Sequence, residues 1–498
     1  MQQRIRILVL LIFLVSSLHG QWQAQQLDDG DMAADLAEAL TFKKYPTYPQ
    51  YLEMLQLFAR DYPDICRVDT FGTSSQGRLL LAVKISNNVQ MDEAEASFFY
   101  SSSMHGDELL GYPMMLRLIN YLLSGYGSDE EVSRLVDGLA IWINPLANPD
   151  GTYYPDDDFS VVYSQRETAD GTDMNREFPD PLAGDAVNDT AGRAKETRAM
   201  MAFLQEHSFN MSANIHSGAE VVNYPWDHTY ELHADNDWFY FVAREYADEA
   251  RAVDPTYMSL FEDGITNGAQ WYRITGGRQD YVTFYLGGRE LTLELSNDFQ
   301  LDSELLDEYW MKNERSLLNY MAQCMYGIRG RVSDSESGAA LEARIEIPGY
   351  DQDYSPVYSS PEHGDFYRFL EEGSYELVVS ASGYISDTIP MVQVEDYKAT
   401  LLDITLEPAI NAVETEEALS ARLYPNPAGD RLYINPGSME PGPLDIMIIS
   451  MEGITLLREA LYFSGSPLEI GLEQVPAGLY LVRLNSGTFS AVKMMIRE

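Results

Sequence analysis

At 498 residues the chain is too long for one ordinary domain and has room for two to four. It has 33 Lys and Arg residues and 78 Asp and Glu residues, so its net charge is -45. A chain this acidic repels phosphate backbones, so nucleic acid is excluded as a partner, while cationic peptides would be attracted. An apolar content of 45% and an aromatic content of 12% exclude a disordered chain.

The N-terminus has the three parts of a secretory signal peptide. Arg4 and Arg6 precede an apolar run at 7–15, which is short for a membrane span, and small residues follow. We therefore predict a signal peptide over 1–20, then a loose acidic leader over 21–41, and no transmembrane segment. Export would place the only two cysteines, Cys66 and Cys324, in an oxidising compartment, where the sequence leaves their pairing open.

Helical and strand patterns alternate from residue 42 onward. The predicted helices are "YPQYLEMLQLFARDYP", "ELLGYPMMLRLINYLL", "AKETRAMMAFLQEH" and the closing "SELLDEYWMKNERSLLNYMAQCMYG". The predicted strands are "RLLLAVKIS", "ASFFYSSS", "LAIWINP", "FNMSANIHS" and "RELTLELSN". This alternation predicts an α/β domain over 42–326, with a mixed β-sheet flanked by helices on both faces.

The remainder of the chain has strand patterns without a helical period. Over 327–408, short strand-like runs are separated by Gly, Pro, Asp and Ser, which predicts a small β-sandwich. Residues 409–421 read as an acidic linker. Residues 422–498 predict a second all-β domain, whose turns are marked by "NPAGD", "MEG" and "PAG".

Three potential metal ligands lie at predicted strand ends, where an open α/β sheet gathers its ligands. His105 and Glu108 follow "ASFFYSSS", and His216 closes "FNMSANIHS". Two imidazoles and one carboxylate fill three positions of a tetrahedral zinc and leave the fourth for water, as in catalytic sites. Because one His–x–x–Glu match is expected by chance in a chain of about this size, separate surface histidines are the competing interpretation.

Two further stretches offer groups for chemistry. "TADGTDMNREFPDP" places Asn175 beside Arg176, and a guanidinium fork with an adjacent amide can hold a carboxylate, unless the arginine is only a solvated turn residue. "RELTLELSND" places Glu290 and Glu294 in a leucine-rich strand, where a carboxylate costs desolvation unless it is used. Glu294 is therefore a candidate base, although an alternating strand could also point it to solvent.

Six stretches together resemble motifs of the zinc metallocarboxypeptidases, most closely the carboxypeptidase D, E and N branch. They are "MHGDE", "NPLANPDG", "DMNREFPD", "IHSGAEVVNYPWD", "GITNGAQWY" and "LTLELSND", and they occur in the family order over about residues 45–326. The resemblance implies the family's α/β fold and one Zn²⁺ per catalytic domain. It assigns His105, Glu108 and His216 as the zinc ligands.

The resemblance also implies roles for other residues. Glu294 would activate the zinc-associated water and pass its proton to the leaving amine. Arg166, in "SQRETADG", would polarise the scissile carbonyl, and Asp173 would orient a zinc histidine. The groups that would clamp the terminal carboxylate of the substrate are Asn175, Arg176 and Tyr272. Such a clamp implies an exopeptidase, because an internal peptide bond offers no carboxylate.

Within that branch, two residues match a pocket that receives basic side chains. Asp227, in "NYPWD", and Gln279, in "GRQDY", imply release of C-terminal Arg or Lys. Two features depart from the branch: Glu177 stands where Asn is usual, and "DYVTFYLGGRE" differs from the usual run, so the pocket rim could be reshaped. His228 and Glu220 match no assigned role and are expected to be structural or rim residues.

The two β domains carry resemblances of their own. "GIRGRVSDSESGAALEARIEI" and "EGSYELVVSASGYI" resemble the transthyretin-like module that follows the catalytic domain in the same branch. "LYPNPAGDRLYI", "GLYLVRL" and "VKMMIRE" resemble a type IX secretion sorting domain. This implies recognition by the type IX machinery and export across the outer membrane of a Gram-negative bacterium, to the medium or the cell surface.

The leading functional prediction is a secreted zinc carboxypeptidase that acts on peptide or protein C-termini, with a basic preference. A cell-wall peptide carboxypeptidase or a deacylase of small conjugates is an alternative within the fold, and Asn175, Arg176 and Asp227 argue against it. A non-catalytic surface binding protein is the alternative from another class. It would be expected to lack a ligand or the base, and this sequence has all of them.

Overall fold

The computed structural model describes residues 27–409, 421–437, 439–451, 453–486 and 489–498. The predicted signal peptide lies outside these residues, and so does the predicted linker apart from its two end residues. The described chain forms two compact units. The first comprises the residues up to Gln90, Ser97–Glu231 and Val242–Met321, and the second comprises Met91–Ala96, Leu232–Phe241 and Ala322–Glu498.

An eight-stranded sheet organises the first unit. Its strands are β1 (Cys66–Thr73), β2 (Leu79–Ile85), β3 (Ala96–Ser102), β4 (Leu139–Asn144), β5 (Met211–His216), β6 (Ala219–Tyr224), β7 (Ile265–Asn267) and β8 (Arg289–Ser296). The spatial order is β1-β2-β4-β3-β5-β8-β6-β7, with parallel pairs such as β3 with β5 and antiparallel pairs such as β6 with β8. The predicted mixed sheet is therefore confirmed.

Helices connect these strands, as the alternating pattern predicted. They are α1 (Leu36–Ala39), α2 (Tyr48–Asp61), α3 (Gly111–Gly125), α4 (Glu130–Gly138), α5 (Pro149–Thr152), α6 (Lys195–His207), α7 (Asn236–Val253), α8 (Gly268–Trp271), α9 (Arg278–Tyr285) and α10 (Leu306–Gln323). Thr47 begins α2 with a capping box, because its hydroxyl accepts from the Gln50 amide while Gln50 returns a bond to the Thr47 amide. The long closing helix was predicted, and it is α10.

The central strands are buried along their whole length, which explains their runs of apolar residues. Every residue of β4, β5 and β8 is buried. Since β3, β5 and β8 are neighbours that run parallel, their carboxyl ends meet at one edge of the sheet. That edge is where the sequence places the potential metal ligands.

The leader is folded over its described part, so the prediction of a loose segment is wrong for 27–41. Leu27, Ala33 and Ala39 are buried, and Asp35 caps α1 by accepting from the Glu38 amide. The sequence suggested a loose segment because its carboxylates are numerous, and several of them serve instead as helix caps.

Just beyond the leader, a buried tyrosine fastens the chain to the segment that follows β8. The hydroxyl of fully buried Tyr45 donates to the Leu301 carbonyl at 2.6 Å. Asp31, within the leader, accepts from the Ser303 amide at 3.0 Å. The N-terminal segment therefore belongs to the first unit.

The second unit contains the predicted sandwich. Its strands are β9 (Gly327–Asp334), β10 (Arg344–Glu346), β11 (Val357–Tyr358), β12 (Asp365–Arg368), β13 (Gly373–Ser380), β14 (Asp387–Val394), β15 (Ala399–Leu401) and β16 (Ile404–Leu406). They form one sheet in the order β11-β10-β13-β14 and another in the order β12-β9-β15, with β16 also pairing with β9. Residues of both sheets, such as Ile345 and Phe366, share one apolar core.

The C-terminal region is all-β, as predicted. Its strands are β17 (Arg422–Tyr424), β18 (Arg431–Asn435), β19 (Gly442–Ser450), β20 (Thr455–Phe463), β21 (Leu468–Gly471), β22 (Gly478–Ser486) and β23 (Phe489–Arg497). They form a three-stranded sheet, β17-β18-β21, and a four-stranded sheet, β20-β19-β22-β23. Ile434 and Ile446 come from the two different sheets and lie in the same core.

Two further points left by the sequence are answered within the described residues. None of the helices described is both long enough and apolar enough to cross a membrane. Cys66 and Cys324 do not form a disulfide, and both are buried. Burial raises the pKa of each thiol to about 12, so neither carries the thiolate needed for exchange at neutral pH.

Candidate active site

The three predicted ligands converge at the sheet edge. His105 Nδ1 lies 2.7 Å from Glu108 Oε1, and His216 Nδ1 lies 2.7 Å from Glu108 Oε2. The three ligand atoms lie within 4.8 Å of one another, and all three side chains are buried. Two imidazole nitrogens and one carboxylate oxygen are a donor set that zinc accepts, so the residues present fit the ion.

The loop that carries His105 needs a glycine at its next position. A Cβ on Gly106 would lie 2.3 Å from the Gly151 carbonyl carbon and 2.5 Å from the Thr152 amide nitrogen. The missing side chain lets the 149–152 turn pack directly against the ligand loop. This close approach accounts for the glycine inside "MHGDE".

Asp173 and Arg166 form the next layer around the ligands. Asp173 Oδ1 lies 3.0 Å from His105 Nε2, which fixes the imidazole so that Nδ1 faces the ligand cluster. Arg166 donates through Nε and Nη2 to Asp173 Oδ2, each at 3.0 Å, and through Nη1 to Glu108 Oε1 at 3.3 Å. Both residues thus lie beside the three potential ligands.

The titration of the two histidines is set by their surroundings. Burial favours neutral His105, but Glu108 and Asp173 outweigh it and raise the pKa of His105 to about 9. Burial lowers the pKa of His216, and Glu108 only partly offsets that effect. Burial also opposes ionisation of Glu108, yet the two imidazoles hold the pKa of that carboxyl well below its usual range.

Glu294 lies directly beside the ligand cluster. It pairs with His216 in the parallel register of β5 and β8. Its side chain is 8% exposed, and its Oε2 is buried without a hydrogen-bond partner, so the prediction that it could face solvent on an alternating strand does not hold. Burial, and next the charge of Glu108, raise the pKa of Glu294 well above its usual range.

The predicted carboxylate clamp lies at the solvent-facing side of the site. The backbone amide of Asn175 donates to Asp173 Oδ1 at 3.0 Å. The side-chain oxygen of Asn175, Oδ1, accepts from the backbone amide of Arg278 at 2.9 Å. Arg176 is exposed, with Nη1 donating to the Asn175 carbonyl, and Tyr272 is half exposed. Because both side chains are exposed, Arg176 and Tyr272 are accessible to an incoming group.

Asp227 and Gln279, which the resemblance assigns to a pocket for basic side chains, are both buried and in contact with each other. Asp227 Oδ1 accepts from Gln279 Nε2 at 3.1 Å and from Asn223 Nδ2 at 3.0 Å. The other amide oxygens, Gln279 Oε1 and Asn223 Oδ1, are buried and have no hydrogen-bond partner among the described atoms. Burial, and next the neighbouring Asp280, raise the pKa of Asp227 well above its usual range. The pocket therefore presents hydrogen-bond acceptors in excess of donors.

The absence of a side chain at Gly268 lets the Asp227 carboxylate lie directly against the backbone. A Cβ on Gly268 would lie 1.8 Å from Asp227 Oδ1 and 2.8 Å from Asn223 Oδ1. Any larger residue there would collide with the carboxylate.

Of the two features that depart from the resemblance, Glu177 contacts the start of α6, whereas the stretch that begins at Asp280 reaches the Asp227 backbone amide through the Asp280 side chain. Glu177 accepts from the Ala194 amide at 2.9 Å and from the Thr197 hydroxyl at 2.7 Å, so it caps the start of α6. The expectation that it could reshape the rim is therefore not met. Glu220 Oε1 accepts from the Tyr309 hydroxyl, and His228 Nδ1 lies 2.6 Å from Asp280 Oδ2.

Sequence reasoning missed two residues of the pocket. Asn223 lies four positions before Asp227, and Asp280 directly follows Gln279. Asp280 accepts from the backbone amides of Asp227 and His228, and so holds the loop that carries the pocket carboxylate. A signal was available for both, since each lies inside a motif that the sequence singled out, but only the fold turns their side chains toward Asp227.

A buried His–Glu–His cluster at the edge of a mixed α/β sheet could hold one metal ion, and the carboxylate beside it is the further group that a hydrolytic metal site needs. Comparison with known proteins then gives the family. Residues 51–316, more than half of the chain, match the zinc carboxypeptidase family, and residues 422–498 match a secretion system C-terminal sorting domain. This chain belongs to the zinc carboxypeptidase family of peptidase hydrolases. The predicted sorting domain is also confirmed, and it indicates secretion or attachment at the cell surface.

Named relatives agree with this membership. Human carboxypeptidase D is 35% identical over 353 residues, which cover 68% of this chain but 25% of that protein. The match thus spans about a quarter of the length of that relative. Mouse carboxypeptidase M is 33% identical, with 67% of this chain and 77% of that protein covered.

A solved structure shares the fold. The thrombin activatable fibrinolysis inhibitor superposes with a TM-score of 0.52 at 17% identity, covering 60% of this chain and 79% of that one.

Proposed function

We propose that this chain is a secreted zinc-dependent metallocarboxypeptidase that hydrolyses the C-terminal peptide bond of peptides and proteins and releases Arg or Lys. The observation that carries the proposal is the convergence of His105, Glu108 and His216 within 4.8 Å, with Glu294 beside them. The first three would hold the zinc ion. A binding protein that had lost activity would not need a buried, unpartnered carboxylate next to a metal cluster.

Zinc bound there would supply a Lewis acid that polarises the scissile carbonyl and makes water acidic enough to be activated. Glu294 takes the proton of that water and delivers it to the amine that leaves. Its Oε2 is buried and has no hydrogen-bond partner among the described atoms, so it has room to take up that proton. Arg166 steadies the negative charge that develops on the carbonyl oxygen.

The preference for chain ends rests on the clamp. Arg176 offers a guanidinium fork, Asn175 a side-chain amide and Tyr272 a hydroxyl to the terminal carboxylate of the substrate. Asp173 supports the arrangement, because it accepts from the Asn175 amide and from Arg166 while it orients His105. An internal peptide bond would leave the guanidinium without a partner.

The preference for basic residues rests on the acceptors of the pocket. An incoming cation would favour the ionised form of Asp227, which would then supply the counter-charge. The amide oxygens of Gln279 and Asn223 are acceptors without a partner among the described atoms. A guanidinium carries five N–H donors and an ammonium three, so either one satisfies these acceptors, whereas an apolar side chain satisfies none. A buried polar site of this kind discriminates strongly against residues that lack the donors.

The rest of the chain fits an exported enzyme. We propose a signal peptide over 1–20, a catalytic domain over 42–326, a transthyretin-like sandwich over 327–408, and a sorting domain over 422–498. The match to a secretion system sorting domain supports export by the type IX machinery across a Gram-negative outer membrane. The partners are then that machinery and the C-termini of extracellular peptides.

The test is a specificity profile of the purified protein without its sorting domain. Peptides that end in Arg, Lys, Leu and Glu are incubated with and without a zinc chelator, and the released amino acids are quantified. We expect chelator-sensitive release of Arg and Lys at rates at least about a hundredfold above Leu and Glu. Equal rates for Arg and Leu would refute the basic preference, and no release from any peptide by the zinc-loaded protein would refute the activity. Exclusive cleavage of cell-wall peptides or small conjugates would identify one of the alternatives.

A further inference from the structure

Helix α9 begins with an arginine that is fully buried. Arg278 donates to Glu290 of β8 through Nε at 2.9 Å and Nη2 at 3.0 Å, and neither side chain is exposed. Glu290 also accepts from the Ser212 hydroxyl at 2.7 Å. A buried ion pair of this kind is a weak source of stability, because the desolvation of two charges offsets their attraction. This ion pair also lies at one end of a series of hydrogen bonds that leads to His216.

The third nitrogen of the guanidinium leads toward the metal ligands. Arg278 Nη1 donates to the Ser101 hydroxyl, near the end of β3. The Ser101 oxygen lies 3.3 Å from Asn214 Oδ1, and the side-chain amide of Asn214 lies 2.6 Å from His216 Nε2. A continuous chain of hydrogen-bonding groups therefore joins the ion pair to the ring nitrogen of His216 that faces away from Glu108.

The backbone of the same residue serves the other half of the site. The Arg278 amide donates to Asn175 Oδ1 at 2.9 Å, and this bond fixes the side chain predicted to receive the terminal carboxylate of the substrate. Arg278 thus contacts Ser101, which leads to His216, and Asn175, which belongs to the proposed carboxylate clamp.

The chemistry of the network requires a fixed direction. Here the Asn214 nitrogen faces His216 Nε2 and its oxygen faces Ser101, which suits a ring whose Nε2 accepts. A metal on His216 Nδ1 would leave the ring proton on Nε2, so the Asn214 amide would then have to be reversed, with its oxygen toward Nε2 and its nitrogen toward Ser101. An arginine side chain can only donate, so Arg278 obliges the Ser101 oxygen to accept and steadies it as a partner for Asn214. The ion pair with Glu290 holds the guanidinium in that orientation.

We propose that Arg278, held by Glu290, is a positioning residue that sets the orientation of His216 through Ser101 and Asn214. This inference rests on the proposed zinc site, and it adds a function for a buried ion pair that touches neither metal nor substrate. Groups that orient a metal-binding histidine typically change metal affinity or activity about 10- to 100-fold when they are replaced.

The test measures zinc affinity, which does not depend on turnover. Replacing only Arg278 would leave the Glu290 carboxylate buried and unpaired, so the main variant is the double substitution R278M/E290Q, which removes both charges. R278K is the conservative variant, because it keeps the charge but not the fork that reaches both Glu290 and Ser101. The matched control is K312M. Lys312 lies on α10 in the same unit, and this substitution removes its ion pairs with Asp254 and Glu308.

Zinc dissociation constants are measured by chelator competition, alongside circular dichroism and thermal unfolding. We expect the constant to rise about 10- to 100-fold in the double variant, to rise less in R278K, and to stay unchanged in K312M. With zinc saturating, kcat should fall for peptides ending in Arg and Lys alike.

A folded double variant with wild-type zinc affinity overturns the inference, as does a loss of equal size in K312M. If the double variant does not fold, R278K decides: unchanged zinc affinity in that variant overturns the inference, and weakened affinity supports it. Failure of the proposed function looks different, because wild-type protein would then bind zinc and cleave no peptide.

Discussion

Two glutamates of the site have opposite environments. Glu108 lies between two imidazoles, which hold its pKa well below the usual range, whereas burial and the charge of Glu108 raise the pKa of Glu294. Two carboxyl groups driven apart in this way are suited to different tasks, one as a permanent anion and the other as a proton carrier.

This separation predicts the effect of replacing the proton carrier. In E294Q the amide cannot take a proton from water, so kcat for a peptide ending in Arg should fall about 10²- to 10⁴-fold while the zinc content stays at one per chain. Steady-state kinetics and metal analysis measure both quantities. E220Q, which alters a glutamate bonded to Tyr309, serves as the control, and a normal kcat in E294Q would falsify the assignment.

Metal binding should be linked to protons. His105 has a pKa of about 9 in the metal-free protein, so it is protonated at pH 7, and zinc requires the neutral ring. We expect zinc binding at pH 7 to release close to one proton and to weaken as the pH falls. Calorimetry in buffers with different ionisation enthalpies counts the protons, and binding without proton release would contradict the prediction.

The same raised pKa affects the stability of the metal-free protein. A group with a raised folded-state pKa stabilises the fold fully below its unfolded pKa, here 6.5. That contribution is lost as the pH rises through about 9, so the free energy of unfolding should decline over this range. Urea unfolding of chelator-treated protein at several pH values measures the decline, which bound zinc should suppress.

At the scale of elements, the N-terminal segment stabilises the first unit through a buried side chain. Tyr45 is fully buried, and its hydroxyl bonds to the Leu301 carbonyl. Truncation in Y45A should lower the free energy of unfolding by about 3–5 kcal/mol, through lost burial and a cavity. Chemical denaturation tests this, with K43A as the exposed neighbour, expected to change it by less than about 1 kcal/mol. An equal effect of Y45A and K43A would argue against this stabilising role of Tyr45.

The sequence predicted the elements and ligands that depend on local pattern. His105, Glu108, His216 and Glu294 could be found because strand ends of one parallel group must meet at one edge. Arg278 could not be assigned a partner, since its contact with Ser101 depends on how the first turn of α9 packs against β3 and β8. The prediction of a loose leader was wrong for a related reason. Its acidic composition resembles that of a disordered segment, and which carboxylates cap a helix depends on the folded backbone.

At the scale of the whole molecule, the net charge of -45 should act on basic substrates before they bind. For a peptide ending in Arg and carrying a positive net charge, kcat/KM should fall several-fold between about 0.05 and 0.5 M salt, because the Debye length shrinks well below 10 Å. An uncharged peptide ending in Arg is the control, and its smaller dependence separates long-range attraction from the pocket. Equal salt dependence would show that the overall charge plays no part in capture.

The glycine at position 268 makes the position of the Asp227 carboxylate sensitive to a single carbon atom. A Cβ there would lie 1.8 Å from Asp227 Oδ1, so the carboxylate can keep its place only while residue 268 has no side chain. A G268A exchange would therefore displace the carboxylate that we propose receives cationic side chains, without changing any of the three potential metal ligands. For protein engineering, position 268 is thus a place where the proposed terminal preference could be altered while the hydrolytic groups stay intact.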